Sequence, residues 1–137
     1  MYLFDTDTIS QVMRREPPPR LMARYTATPT DQPFTSSISI GELFYGAFRS
    51  NREETIVHQV ESLILQNFTV LPFDAEEARA YARIRVDLEL RGMRLDDPDL
   101  RIVAVALVND LTLVTGNVRH LARIPDLRIE NWIAEYG

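Results

Sequence analysis

Residues 97–115 read DPDLRIVAVALVNDLTLVT. Asp97-Pro98 opens a helix: Asp97 has the side chain of a cap, and proline suits the first helical position, where its missing N–H costs nothing. The apolar run Ile102 to Val108 carries that helix to about Asn109. Leu111 to Thr115 alternates Leu, Thr and Val in the manner of a strand. A buried helix feeding directly into a short strand is the closing half of a crossover, and strands joined by crossovers pair in parallel.

The same alternation extends to both ends. Tyr2–Phe4 reads as a strand, and Thr6–Arg15 as a short helix stopped by Pro17-Pro18-Pro19. Arg20–Tyr25 makes another helix, and Thr28–Pro33 a loop. Phe34–Ser37 is a strand, followed by a helix over Ile40–Phe48 with Ile40, Leu43, Phe44, Ala47 and Phe48 at the helical period. A helix over Glu53–Gln66 places Ile56, Val60, Leu63 and Ile64 on one stripe, and Thr69–Phe73 is strand-like. Asp74 caps a long helix, Ala75–Leu90, closed by Gly92; Leu127–Ile129 makes a short last strand. The pattern predicts one domain over residues 1–137, a three-layer α/β/α sandwich around a short, mostly parallel sheet. Such sheets bind ligands beyond the carboxyl ends of their strands, where strand order reverses.

The chain has 137 residues and no Cys, so it carries neither a disulfide framework nor a thiol nucleophile. A reducing, cytoplasmic setting is compatible with that. The N-terminus lacks a basic region followed by a long apolar core, and no apolar run approaches the ~18 residues of a membrane span. A net charge of −5 argues against a generic nucleic-acid coat. It is compatible with a nuclease whose acids gather where metal ions neutralise them. All fifteen basic residues are Arg; Lys is absent.

Four positions bear on chemistry. Asp5 follows the first strand, where it can cap the next helix or face a ligand at the sheet edge. Asp99 shares a helix face with Ile102, Val103 and Ala106, so its carboxylate lies on an apolar, inward side. Burying it unpaired costs several kcal/mol, which a helix N-terminus offsets in part and a divalent cation offsets further. Asp97 has the cheaper explanation of a cap, and Asp96 that of a solvated side chain. Glu42 falls opposite its helix's apolar stripe, with Tyr45, Gly46 and Arg49; a solvated face and a cleft wall both remain open. Thr115-Gly116-Asn117 follows a strand tip on the same edge as Asp5 and either turns the chain or binds a water or metal. Hard oxygen donors, two His and no Cys point to Mg2+ or Mn2+ over zinc. His58 reads as a solvated mid-helix residue, and His120 has no nucleophile beside it to activate.

Four motifs in order resemble one family. MYLFDTDTIS is similar to its aliphatic strand ending in Asp-Thr-Asn/Asp, SISIGELFYGA to its Glu-Leu-x-x-Gly helix, and GMRLDDPDLRIVAVAL to its Asp before an aliphatic-Ala-x-Ala helix. LTLVTGNVRHLARIPDLRIENW is similar to its strand-Thr-x-Asn/Asp segment and tail. Over nearly its whole length the chain resembles PIN domains, specifically the VapC-type toxin ribonucleases of bacterial toxin–antitoxin pairs. The resemblance implies a metal-dependent endoribonuclease with Asp5, Glu42 and Asp99 as its acidic cluster. Asp5 and Asp99 are the implied metal ligands, and Asn117 stands where many relatives have a fourth Asp. Thr6 and Thr115 are supporting residues. Arg14, Arg15, Arg49 and Arg119 are rim candidates for RNA phosphates, with surface ion pairing as the alternative. The spacing of Arg83, Asp87 and Arg91 favours salt bridging. The resemblance further implies a homodimer and a cognate VapB-type antitoxin. Two rival readings stand beside it. A haloacid-dehalogenase-like phosphotransferase would use Asp5-Thr6-Asp7 with Asp5 as nucleophile, although that family normally needs a Lys. A non-catalytic PIN module would only bind.

Overall fold

The computed structural model describes residues 1–134; the last three residues of the expected domain lie outside the described residues. Five strands form one sheet: β1 (Tyr2–Phe4), β2 (Pro33–Ser36), β3 (Thr69–Leu71), β4 (Thr112–Val114) and β5 (Ile129–Glu130). Their spatial order is β3-β2-β1-β4-β5, and every neighbouring pair is parallel. The chain steps from β1 through β2 to β3, then returns to place β4 on the other side of β1. Strand order therefore reverses at β1, and its carboxyl end is the place where a parallel sheet opens a crevice.

Side chains alternate across this sheet, and the alternation builds two cores. Phe4 and Val114 join Ile9, Val12, Leu21, Val60, Ile64, Phe68 and Trp132 on one side. Leu3 and Leu113 join Ile102, Val103, Val105, Ala106 and Leu121 on the other. Helices α1 (Thr6–Val12), α2 (Pro19–Ala27), α3 (Ser37–Arg49) and α4 (Glu53–Gln59) occupy the first half of the chain. Helices α5 (Ala75–Leu90), α6 (Asp97–Val108) and α7 (Val118–Leu121) occupy the second. The α/β layering expected from the sequence is thus present, with a wholly parallel sheet.

The long helix α5 has the expected ends. Its cap residue Asp74 donates its N–H to Glu77 Oε1 at 2.9 Å. Gly92 adopts φ +69°, the left-handed turn that L side chains resist, and Met93 N–H reaches back to Leu88 O at 2.8 Å. Arg91 pairs with Asp87 at 2.6 Å, as the spacing suggested.

Several local expectations need correction. Helix α1 ends at Val12, short of Arg15. Beyond α4 the chain widens into a π-helical turn, Val60–Leu65, so a 3.6-residue period misplaces Leu63, which is 39% exposed while Val60 and Ile64 are buried. Phe48 is 62% exposed although its neighbour Ala47 is fully buried; its ring stacks on Phe44, 5.9 Å away, on the outer edge of the apolar stripe. Asp97 is not the cap of α6. Asp96 is, exposed and without a side-chain cap bond, and Pro98 is the second helical residue. The Asp97 carboxylate instead accepts from the Tyr81 hydroxyl and from Arg101 Nε at 2.6 Å. Those bonds hold its pKa below the usual carboxylate value, the Tyr81 hydroxyl most. The short helix α7 has no counterpart in the hydrophobic pattern. No helix among the described residues is long and apolar enough to cross a membrane.

Candidate active site

The tip of β1 is tied down from both sides. Asp5 N–H donates to Val114 O of β4 at 3.1 Å, and Thr35 Oγ1 of β2 donates to Phe4 O at 3.0 Å. Asp5 then caps α1, its Oδ1 accepting from Thr8 N–H at 2.9 Å. Capping does not exhaust the carboxylate, which also borders a cavity of about 450 Å3. Asp7, Ser10, Gln11, Arg14, Asp99 and Asn117 share that border. Asp5 and Asp99, distant in the chain, therefore meet at the reversal point of the sheet.

The cavity holds more negative charge than its surroundings balance. Asp99, half-buried in the first turn of α6, has its pKa pushed up to about 6. Burial is the largest cause, followed by repulsion from Asp5, Asp96, Glu42 and Asp7. Burial also raises Asp5, against hydrogen bonds from Thr115 and Thr8 that favour its charged form. Thr115 is almost wholly buried, and its Oγ1 accepts from Asn117 N–H at 2.9 Å. With that lone pair engaged, the hydroxyl proton is left for Asp5.

A carboxyl that binds its proton more tightly in the folded chain destabilises the fold once it ionises. For Asp99 the cost is absent below the unfolded value near 3.8, builds as pH rises from there to about 6, and is fully present above that. Asp99→Asn is accordingly expected to stabilise the metal-free protein at neutral pH. After allowing for solvent screening of a half-exposed group, the gain is about 1–2 kcal/mol. Thermal melts at about pH 7.5 and pH 4 check this, since the gain should vanish at the lower value. Equal melting temperatures at both would contradict the crowding of charge described here.

Glu42 lies outside the cavity border yet belongs to the same neighbourhood. Thr6 Oγ1 is 2.6 Å from Glu42 Oε1 and 3.0 Å from Ser39 Oγ. A carboxylate only accepts, so the Thr6 proton goes to Glu42 and Ser39 donates to Thr6. Ser36 Oγ follows at 3.3 Å from Ser39 Oγ and accepts from Ser39 N–H at 3.1 Å, which caps α3. Thus a row of hydroxyls ties α3 to α1 and leaves the second Glu42 oxygen unengaged among the described residues. Sequence reading missed Ser39, although its place one helical turn before Glu42 was a signal. It also left Asp7 aside, despite its place two residues past Asp5.

Of the four rim arginines, only Arg14 borders the cavity. Arg15 and Arg119 are exposed and take no part in the border. Arg49 packs on Tyr45, 5.2 Å from the ring and 3.2 Å from its hydroxyl. It stands seven residues along α3 from Glu42, about 10 Å at 1.5 Å per residue. A larger groove of about 810 Å3 follows the α5–α6 turn past Arg85, Glu89, Arg94 and Asp97. Three of those charges are already paired: Arg85 with Glu89 at 2.9 Å, and Asp97 with Arg101 at 2.6 Å.

The three carboxylates of the smaller cavity are hard oxygen donors, and their unbalanced charge suits a divalent cation. Among the described residues no three His, Asp or Glu side chains form a closed cage. That suits an ion such as Mg2+, which takes one or two carboxylates and fills its remaining positions with water and substrate oxygens.

Comparison with known proteins agrees with this layout. The family model described as "PIN domain" matches residues 2–127. The chain is 30% identical over 132 residues to Ribonuclease VapC2 of Haemophilus influenzae, covering 96% of this chain and 98% of that one. It is 32% identical over 131 residues to the tRNA(fMet)-specific endonuclease VapC of Salmonella typhimurium, covering 96% and 97%. The DNA-bound VapBC structure from Salmonella typhimurium superposes with a TM-score of 0.89 at 32% identity, again covering 96% and 97%. The chain belongs to the PIN-domain family, in its VapC ribonuclease branch. This removes the haloacid-dehalogenase-like reading of Asp5-Thr6-Asp7.

Proposed function

We propose that this VapC-type ribonuclease cuts RNA at the β1–β4 cavity, with Asp5 and Asp99 holding Mg2+ or Mn2+. The observation that carries the reading is the meeting of these two carboxylates at one cavity, with Asp99 raised by burial and then by its acidic neighbours. When bound, the cation neutralises the acids toward a polyanion, activates water for in-line attack and stabilises the leaving oxygen. The chain's own residues do the rest. Thr115 orients Asp5. Glu42, held by Thr6 through one oxygen, has the other free to hold a water and take its proton. Asn117 and Arg14 border the cavity where a scissile phosphate would lie, and both offer N–H donors.

In this reading the protein is the toxin of a toxin–antitoxin pair, acts in the cytoplasm as a homodimer, and is silenced by a VapB-type antitoxin. The complexed relatives support the antitoxin assignment. The test is cleavage of RNA by purified chain after chelation and after return of Mg2+ or Mn2+. Cleavage is expected only with metal; undiminished cleavage in chelator would overturn the mechanism, and metal-independent RNA binding alone would favour the non-catalytic module.

A further inference from the structure

His120 lies in the exposed last turn of the four-residue helix α7, three residues after Asn117. Its Nδ1 is 2.8 Å from Asn117 Oδ1. A carbonyl oxygen can only accept, so this contact requires the proton on Nδ1. Neutral histidine has only one ring N–H, and here the amide oxygen selects which nitrogen carries it. The Asn117 oxygen is thereby turned toward α7. Its Nδ2 makes no hydrogen bond among the described residues, and the residue borders the cavity shared by Asp5 and Asp99.

We infer that His120 is a positioning residue that locks the Asn117 amide, so that Asn117 offers the cavity two N–H donors and not an oxygen ligand. The inference rests on the ribonuclease reading for its substrate: the donors would meet a non-bridging oxygen of the scissile RNA phosphate. An amide oxygen turned inward would add a ligand to a cation. An amide nitrogen turned inward cannot, and serves instead an anion on which charge builds during attack. Asn117 also fixes Thr115 through its backbone N–H, so the loop after β4 orients one group toward Asp5 and another toward substrate. Residues 115, 117 and 120 thus act as a single hydrogen-bonded turn.

The experiment has two arms on the full chain. In the first, 15N NMR at about pH 8 reports the His120 tautomer. The Nδ1–H form is expected in the wild type, and the ordinary Nε2–H form in Asn117→Ala. Adding a short single-stranded RNA to the Asp5→Asn variant should move the Asn117 side-chain amide resonances. In the second arm, metal-dependent cleavage is compared at saturating RNA. Asn117→Ala should lose roughly 100-fold in kcat, and His120→Ala roughly 10-fold. Their combination should be no worse than Asn117→Ala alone, and His120→Gln, which can still donate, should recover most of the rate. A wild-type Nε2–H tautomer, unmoved amide resonances, or strictly additive losses would each overturn the inference. A chain that cleaves no RNA under any metal would instead defeat the functional reading, while the tautomer would still decide the geometry of the His120–Asn117 pair.

Discussion

Replacing Asp5 or Asp99 by Asn is expected to lower metal-dependent RNA cleavage by about a thousand-fold or more. The size follows from the several kcal/mol that a bound cation contributes to a phosphoryl transition state, each 1.36 kcal/mol being a factor of ten. The two substitutions act on one cavity from opposite ends of the chain, yet their structural consequences differ. Asn caps a helix as well as Asp does, so Asp5→Asn keeps an acceptor for the Thr8 N–H and the start of α1. Asp99→Asn removes the repelled charge and should raise stability while it removes activity. Opposite signs in the two measurements separate loss of chemistry from loss of fold. Cleavage by both variants at the wild-type rate would mean that the acids are not the reacting centre.

The second large effect is on stability. Trp132 is 1% exposed and packs edge-on against Tyr2 at 4.9 Å and Phe4 at 5.1 Å. Arg24 lies over its ring at 4.6 Å, and its Nε1–H donates to Glu130 Oε1 at 3.0 Å. Phe4 in turn meets Tyr25 and Phe68, so one indole near the chain's end closes an aromatic cluster against its first strand. Trp132→Ala should cost roughly 3–5 kcal/mol in urea unfolding, a large part of the stability of a chain this size. Trp132→Phe should cost distinctly less, because most of the volume and the edge contacts remain. A loss below about 1 kcal/mol for the alanine variant would show that the cluster is not what holds the tip of β1 in place.

Legibility followed the range of the interactions. The ends of α5 were readable because Asp74, Glu77 and Gly92 act within a few residues of themselves. Asp99 was readable because an acid among Ile102, Val103 and Ala106 conflicts with its own helix. Glu42 was not, because helical periodicity states which side is polar and not what that side meets. The answer lies in Thr6, on another helix. Asp96 and Asp97 are equally good caps in isolation; Tyr81, sixteen residues away, decides between them by engaging Asp97. Adjacent Arg14 and Arg15 look alike in sequence, and only the folded chain shows that Arg14 alone of the two borders the cavity. The π-helical turn broke the spacing on which the Leu63 expectation depended, and α7 is too short to show a period at all.

The position of β1 bears on how such an enzyme is made. Strand β1 is the central one, and its neighbour β4 lies far along the sequence from it, at Thr112–Val114. Contacts spanning so much chain form late, after the intervening segments have been synthesised. Until then Asp5 has no Asp99 helix docked beside it and no Thr115 to orient it. A folding intermediate that lacks the β1–β4 pairing therefore lacks the proposed site as well, because the acids that would share it have not yet been brought together.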